Sequence, residues 1–215
     1  MGNYYNFKIS YDSSNFVEIE YLIKGIIIDM RYNSNYNFVG EKIDGYLDNC
    51  ALLTLDCANA LKKVNEEFLK DGYCIKVFDA YRPYSALLHF EKWLKNDDES
   101  MKEFFYKDLS KLELMENNYV SLLSSHTRGS TIDMTIVDLK TNKELDMGSS
   151  FDEFGIKSNY NYKFLTQEQL KNRYYLREKM KKYNFKPLDS EWWHFTLIDE
   201  PYNNTYFNFP VKKGI

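Results

Sequence analysis

Cysteine, histidine and proline are scarce in this 215-residue chain, with three, three and four copies, and glycine occurs only nine times. Cys50, Cys57 and Cys74 form an odd set with no C-x-x-C pair. That argues against a disulfide framework or a thiolate zinc site and for free thiols in a reducing compartment. With so little Pro and Gly there is no linker, repeat or low-complexity tract, so a single domain spanning 1–215 is expected. No window approaches the roughly 18 apolar residues of a membrane span. The opening stretch MGNYYNFKIS lacks the basic start and apolar run of a secretory signal, and a cytoplasmic protein is expected. Lys+Arg 28 against Asp+Glu 32 leaves a formal charge of −4 and no basic stripe. Neither nucleic acid nor a membrane is therefore an expected partner. No long apolar heptad seam points to a coiled-coil partner.

Aromatics, by contrast, are abundant: 19 Tyr, 15 Phe and 3 Trp. Such side chains pack a core while Tyr and Trp offer a polar edge to a cleft. FVEIEYLI (16–23) alternates as a strand does. From Ala51 to Lys70 apolar residues recur at helical spacing, and Gly72 stands where a helix C-cap belongs. YCIKVFDA (73–80) reads as a buried strand, followed by a turn at Arg82-Pro83 and a helix to about Leu94. STIDMTIVDL (130–139) reads as a strand, with a hairpin turn in KTNKE. LTQEQLKNRYYLREKMKKY is a helix opened by a Thr166/Gln169 capping box, and WWHFTLI is the final strand. Strands and helices mix without βαβ regularity. The expected class is α+β, a mainly antiparallel central sheet flanked by helices.

Chemistry concentrates in two stretches. In SSHTRGSTID, His126 and Asp133 are separated by Gly129, which permits a tight turn leading into a strand. In EWWHF, Glu191 lies three residues before His194. Two imidazoles and one carboxylate make a familiar catalytic zinc shell with an open vertex for water, and His126, Asp133 and His194 could supply it. Glu191 would then be placed to take a proton from that water. On a regular strand Glu191 and His194 face opposite sides. Glu191 must therefore stand at the start of the strand, or a bulge must intervene. The competing reading of WWHF is a packed core histidine, and Trp192 and Trp193 read as packing residues. His89, in an apolar helix, reads as structural. Arg82 precedes a proline and projects from extended backbone. It could stabilise an oxyanion or bind a carboxylate, or simply pair with Asp79 at the surface.

DAYRP (79–83), SSHTRGSTIDMT (124–135) and EWWHF (191–195), in that order, resemble the signature of the zinc-dependent D-alanyl-D-alanine dipeptidases of the VanX type. NFVGEKIDGY (37–46), MGSSFDEF (147–154) and DEPYNNTYFNFPVK (199–212) extend the likeness from about Asp29 to the C-terminus. The resemblance implies a Hedgehog/D,D-peptidase-like fold holding one Zn2+ per chain. It implies that His126, Asp133 and His194 are metal ligands, Glu191 the catalytic base and Arg82 the stabiliser of the tetrahedral intermediate. Tyr32, Ser124, Ser125 and Asp152 fall at its substrate contacts, although turn capping and packing explain those four residues equally well. The implied reaction is hydrolysis of the dipeptide D-Ala-D-Ala, serving glycopeptide resistance or cell-wall turnover. A small closed cleft should exclude longer peptides. A D,D-carboxypeptidase or dual-activity enzyme acting on pentapeptide precursors is the first alternative. A non-catalytic zinc-stabilised binding domain is the second.

Overall fold

A computed structural model describes residues 7–121 and 123–215. In chain order its elements are β1 (Lys8–Ser10), β2 (Phe16–Glu18), α1 (Ile19–Leu22), β3 (Ile27–Ile28), β4 (Leu52–Thr54), α2 (Leu55–Lys70), β5 (Tyr73–Asp79), α3 (Tyr84–Leu94), α4 (Lys102–Phe105), α5 (Lys111–Glu116), β6 (Thr131–Asp138), β7 (Lys143–Glu144), α6 (Gln167–Lys182), β8 (Phe185–Leu188), β9 (Glu191–Leu197) and β10 (Thr205–Phe207). The central sheet runs β3-β5-β6-β9-β8, with β7 added to β6. Only its β3–β5 pairing is parallel. This is the expected α+β class, a mainly antiparallel sheet carrying helices.

β6 is the middle of the sheet, and its first seven residues are buried. Ile132, Met134 and Ile136 project to one face; Thr131, Asp133 and Thr135 project to the other, by the two-residue period of a strand. α2 buries Cys57, Ala58, Leu61, Val64 and Phe68, a stripe at helical spacing. Asn65 from the same face accepts the Ile75 backbone N–H of β5 at 3.2 Å, pinning helix to sheet. α6 starts at the capping box read from the sequence: Thr166 Oγ1 accepts from Gln169 N at 3.2 Å, and Gln169 Oε1 accepts from Thr166 N at 2.9 Å. The two helices are joined where Glu67 and Asp71 of the α2 end meet Lys179 and Lys182 of α6.

Several expected boundaries move. The strand expected over 16–23 stops at Glu18, because β4, its partner, is only three residues long. Ile19 and Ile23, both buried, then close a helical turn through Ile23 N to Ile19 O at 2.8 Å. Their four-residue spacing suits a helix as well as the alternation suits a strand. The helix expected from Ala51 begins at Leu55, since residues 52–54 pair with β2 instead. β9 is not the last strand: β10 follows and pairs in parallel with β1. β8, holding Pro187 at the sheet edge where a missing N–H is tolerated, lay outside the sequence reading, as did α4 and α5. Gly72 does follow the α2 C-cap with φ +86°. The three cysteines are free and buried. No helix among the described residues is long and apolar enough to cross a membrane.

Candidate active site

One row of residues across three strands makes the floor of the site. Asp79 of β5, Asp133 of β6 and His194 of β9 are direct cross-strand partners. Asp79 reaches that row because the β5–β6 register shifts between Val77 and Asp79. Without the extra residue Phe78 would stand opposite Asp133 and Asp79 would face away; re-aiming a side chain is what bulges do beside functional sites. A second irregularity lies in β9, where Leu188 pairs with Glu191 while Pro187 already pairs with Phe195. Residues 192–194 bulge out of that ladder. Glu191 Oε2 and His194 Nδ1 thereby end 3.6 Å apart on the same side. Both routes offered by the sequence hold at once: Glu191 opens the strand, and a bulge follows it.

His126 arrives from above, on a 3-10 turn over Ser125–Arg128 that ends at Gly129 with φ +83°. A β-carbon at that glycine would collide with the Phe16 ring, so both conformation and space demand glycine. The turn is tied down by Gly129 O accepting from Thr54 N at 2.8 Å and by the Thr54–Ser130 hydroxyl pair at 2.7 Å.

Tautomers follow from the contacts. His126 Nδ1 lies 2.8 Å from the Ala80 carbonyl, which can only accept, so Nδ1 carries the proton and Nε2 presents a lone pair. That lone pair lies 3.2 Å from Asp133 Oδ2 and 3.2 Å from His194 Nδ1. His194 Nδ1 is 3.0 Å from Asp133 Oδ1, yet this oxygen has no hydrogen bond of acceptable geometry. One donor atom from each of His126, Asp133 and His194 lies within 4.8 Å of the other two. Two imidazole nitrogens and a carboxylate oxygen gathered this closely can be offered to one ion, so the donor set fits a divalent metal such as zinc.

The charges around this cluster are strongly displaced. Burial pushes the Glu191 carboxyl up to about 7, against the pull of the His194 imidazole. Burial would also raise Asp133, but the two imidazoles overcome it and hold Asp133 well below the carboxylate range. Burial opposes charge on His194, and Asp133 outweighs it, so that imidazole is raised. Arg82 is not at the surface. Its guanidinium is almost enclosed, donates to Asp79 Oδ2 at 2.9 Å and stands 3.8 Å from Asp133. The ion pair with Asp79 weighed from the sequence thus exists, but inside the site.

The remaining candidates share the same cavity of about 660 Å³, which is lined by Tyr32, Arg82, Ser124, Ser125, His126, Asp133, Asp152, Glu191 and His194. Tyr32 donates to Asp152 Oδ2 at 2.8 Å; both are buried, and Asp152 holds a left-handed backbone at φ +59°. Burial raises the Asp152 carboxyl well above its ordinary value, and the Asp133 charge adds to this. Ser124 caps the 3-10 turn by accepting from His126 N at 3.3 Å, while Ser125 Oγ lies 3.4 Å from His194 Nε2. Trp193 is fully buried against Phe151, and Trp192 donates to Ser149 Oγ at 2.9 Å, so both pack as expected. His89 lies outside the site and binds Glu41 and Asp44 of the preceding loop. The sequence reading left out Tyr46, which donates to Asp79 Oδ1 at 2.6 Å. It also left out the outer wall of Tyr119, Lys186 and Ile198. No local motif marks these residues.

Two imidazoles and a carboxylate converging beside a second buried carboxylate and a guanidinium, in an open cleft, define the kind of site that metal-dependent hydrolases use. The chain belongs to the D-ala-D-ala dipeptidase family of M15 peptidases, whose sequence profile matches residues 12–212. It is 37% identical to a D-alanyl-D-alanine dipeptidase of Enterococcus faecalis, over 92% of this chain and 98% of that one. A D-alanyl-D-alanine dipeptidase of Enterococcus faecium is 35% identical over the same shares. Among solved structures, the LD-carboxypeptidase LdcB superposes with a TM-score of 0.44 at 17% identity, covering 89% of this chain and 72% of that one.

Proposed function

We propose that this chain, acting as a single domain with one zinc ion, hydrolyses D-Ala-D-Ala to two D-alanines. The convergence of His126, Asp133 and His194 beside Glu191, in a chain of this family, carries the reading. Zinc held by those three side chains would act as a Lewis acid toward the scissile carbonyl and lower the pKa of water. Glu191 takes a proton from the attacking water and returns it to the leaving amine, a role suited to a carboxyl that burial has brought near neutrality. Arg82, fixed by Asp79, offers N–H donors to the negative charge that develops on the carbonyl oxygen. Asp152, with Tyr32 behind it, receives the substrate ammonium, and Ser124 and Ser125 lie where a hydroxyl can meet a carboxylate or carbonyl.

At about 660 Å³ the cavity is roomier than the closed cleft expected for a dipeptide, and size alone does not exclude a longer chain. Selection then rests on Asp152. A longer peptide replaces the ammonium with an amide and leaves this buried carboxyl without its partner. A cytoplasmic setting accords with the three free thiols. Removal of the dipeptide there would deplete peptidoglycan precursor synthesis, as resistance or as turnover. The test is release of D-Ala from D-Ala-D-Ala with and without a chelator, beside L-Ala-L-Ala, N-acetyl-D-Ala-D-Ala and a pentapeptide ending in D-Ala-D-Ala. Chelator-sensitive cleavage is expected for the free D,D-dipeptide, with the acetylated one at least about a hundredfold poorer. Equal turnover of the pentapeptide would favour the carboxypeptidase reading. No turnover of any substrate by the zinc-loaded protein would leave a binding domain.

A further inference from the structure

Asp79 touches none of the three metal-ligating candidates at hydrogen-bond distance, yet its carboxylate is completely buried and organises the site. Oδ1 accepts from Tyr46 at 2.6 Å, and Oδ2 accepts from Nε of Arg82 at 2.9 Å, with Nη2 of the same guanidinium also 2.9 Å away. The same Nη2 has a second anion within reach, Asp133 Oδ2 at 3.8 Å. Arg82 also lies over the Tyr32 ring at 4.9 Å and the Phe90 ring at 5.5 Å, and among the described residues Asp79 and Asp133 are the carboxylates within 4 Å of it. A guanidinium that closed the last ångström to Asp133 would occupy an oxygen that a cation needs. It would also turn its donors away from the cleft.

We propose that Asp79, braced by Tyr46, is a positioning residue that withholds Arg82 from Asp133. It would thereby keep the Asp133 carboxylate free for metal and the guanidinium free for substrate. The β5 bulge that brings Asp79 opposite Asp133 is the structural device that installs it. The inference rests on the metal and Arg82 roles proposed above, but its decisive readout is metal affinity, which needs no knowledge of the substrate.

The experiment compares Asp79→Asn, Arg82→Met and the double variant by zinc competition against a chromogenic chelator, by thermal melting and by dipeptide kinetics. Asp79→Asn should weaken zinc about ten- to a hundredfold, the range found when residues behind a metal ligand are changed. It should also lower kcat more than it raises KM. The double variant, which removes the competing guanidinium along with its restraint, should recover zinc affinity to within a few-fold of the parent while kcat stays low. A merely structural Asp79 would lower the melting temperature without that recovery. Zinc affinity unchanged in Asp79→Asn, or no recovery in the double variant, overturns the proposal. Should Asp79→Asn not fold, Tyr46→Phe replaces it: zinc affinity weakened beyond threefold with intact folding supports the restraint, and a smaller change overturns it. A parent that binds zinc but cleaves no dipeptide would defeat the functional reading and leave the zinc comparison intact.

Discussion

Glu191 is 9% exposed and, among the described residues, has His194, at 3.6 Å, as its nearest ion partner. Burying a carboxyl costs free energy, and such a placement suits the proton-transfer role proposed for Glu191. Replacing Glu191 with Ala should therefore leave the three metal-ligating candidates undisturbed. Expected values are zinc affinity within a few-fold of the parent and kcat reduced by about 10²–10⁴, the usual contribution of a positioned acid or base. Chelator competition and steady-state kinetics on one preparation check both, and retained turnover would remove Glu191 from the mechanism. Asp152 and Tyr32 show the same logic at the far end of the cleft. Both are buried and joined to each other, and burial holds the Asp152 carboxyl well above its ordinary value.

Elements position these residues more than their own sequences do. The 3-10 turn carrying His126 depends on Gly129, whose φ of +83° and contact with Phe16 leave no room for a methyl group. Gly129→Ala should cost about 1–3 kcal/mol, the range for a strained backbone position. It should also lower zinc affinity by displacing His126; denaturant unfolding and chelator competition measure the two effects. At the opposite edge, Glu67 of α2 accepts from Lys182 at 2.9 Å and lies 3.4 Å from Lys179 of α6. Its hydrogen bond with Lys182, ahead of that with Lys179, lowers the Glu67 pKa to about 2. A depressed carboxyl contributes stability that is present above its unfolded value near 4.5 and is lost as pH falls toward 2. Melting temperature should thus drop through that window. Glu67→Gln should flatten part of the drop and high salt should shrink it, because the pair is only partly shielded from solvent.

At the scale of the molecule, a metal at the proposed site would couple to the fold. His126 comes from the turn before β6, Asp133 from β6 and His194 from β9, so a bound ion staples segments far apart in the chain. A ligand held only by the native state stabilises by about 2.7 kcal/mol at a concentration one hundred times its dissociation constant. Stripping zinc with a chelator should lower the melting temperature by roughly 5–10 °C, and re-addition should restore it. A melting curve indifferent to chelator would mean the three side chains do not share an ion. The same coupling explains what was readable in advance. The role of Arg82 came from the family resemblance, while His126, Asp133, His194 and Glu191 stood out as candidates by residue type and spacing. Tyr46 and Lys186 did not, because a tyrosine in a loop or a lysine on an edge strand carries no sign of what it will face.

From the sequence alone came the α+β class, the capped α6, the buried strands β5 and β6 and the residue types of a metal site, because each is set by local periodicity or by side-chain chemistry. Tertiary structure decided that Glu18 ends a strand, that Asp79 stands beside Asp133 and that Glu191 and His194 share a side. Those facts depend on where one strand runs out of partner and where a ladder slips by a residue. Register is a property of pairs of strands, and neither strand's sequence states it without the other.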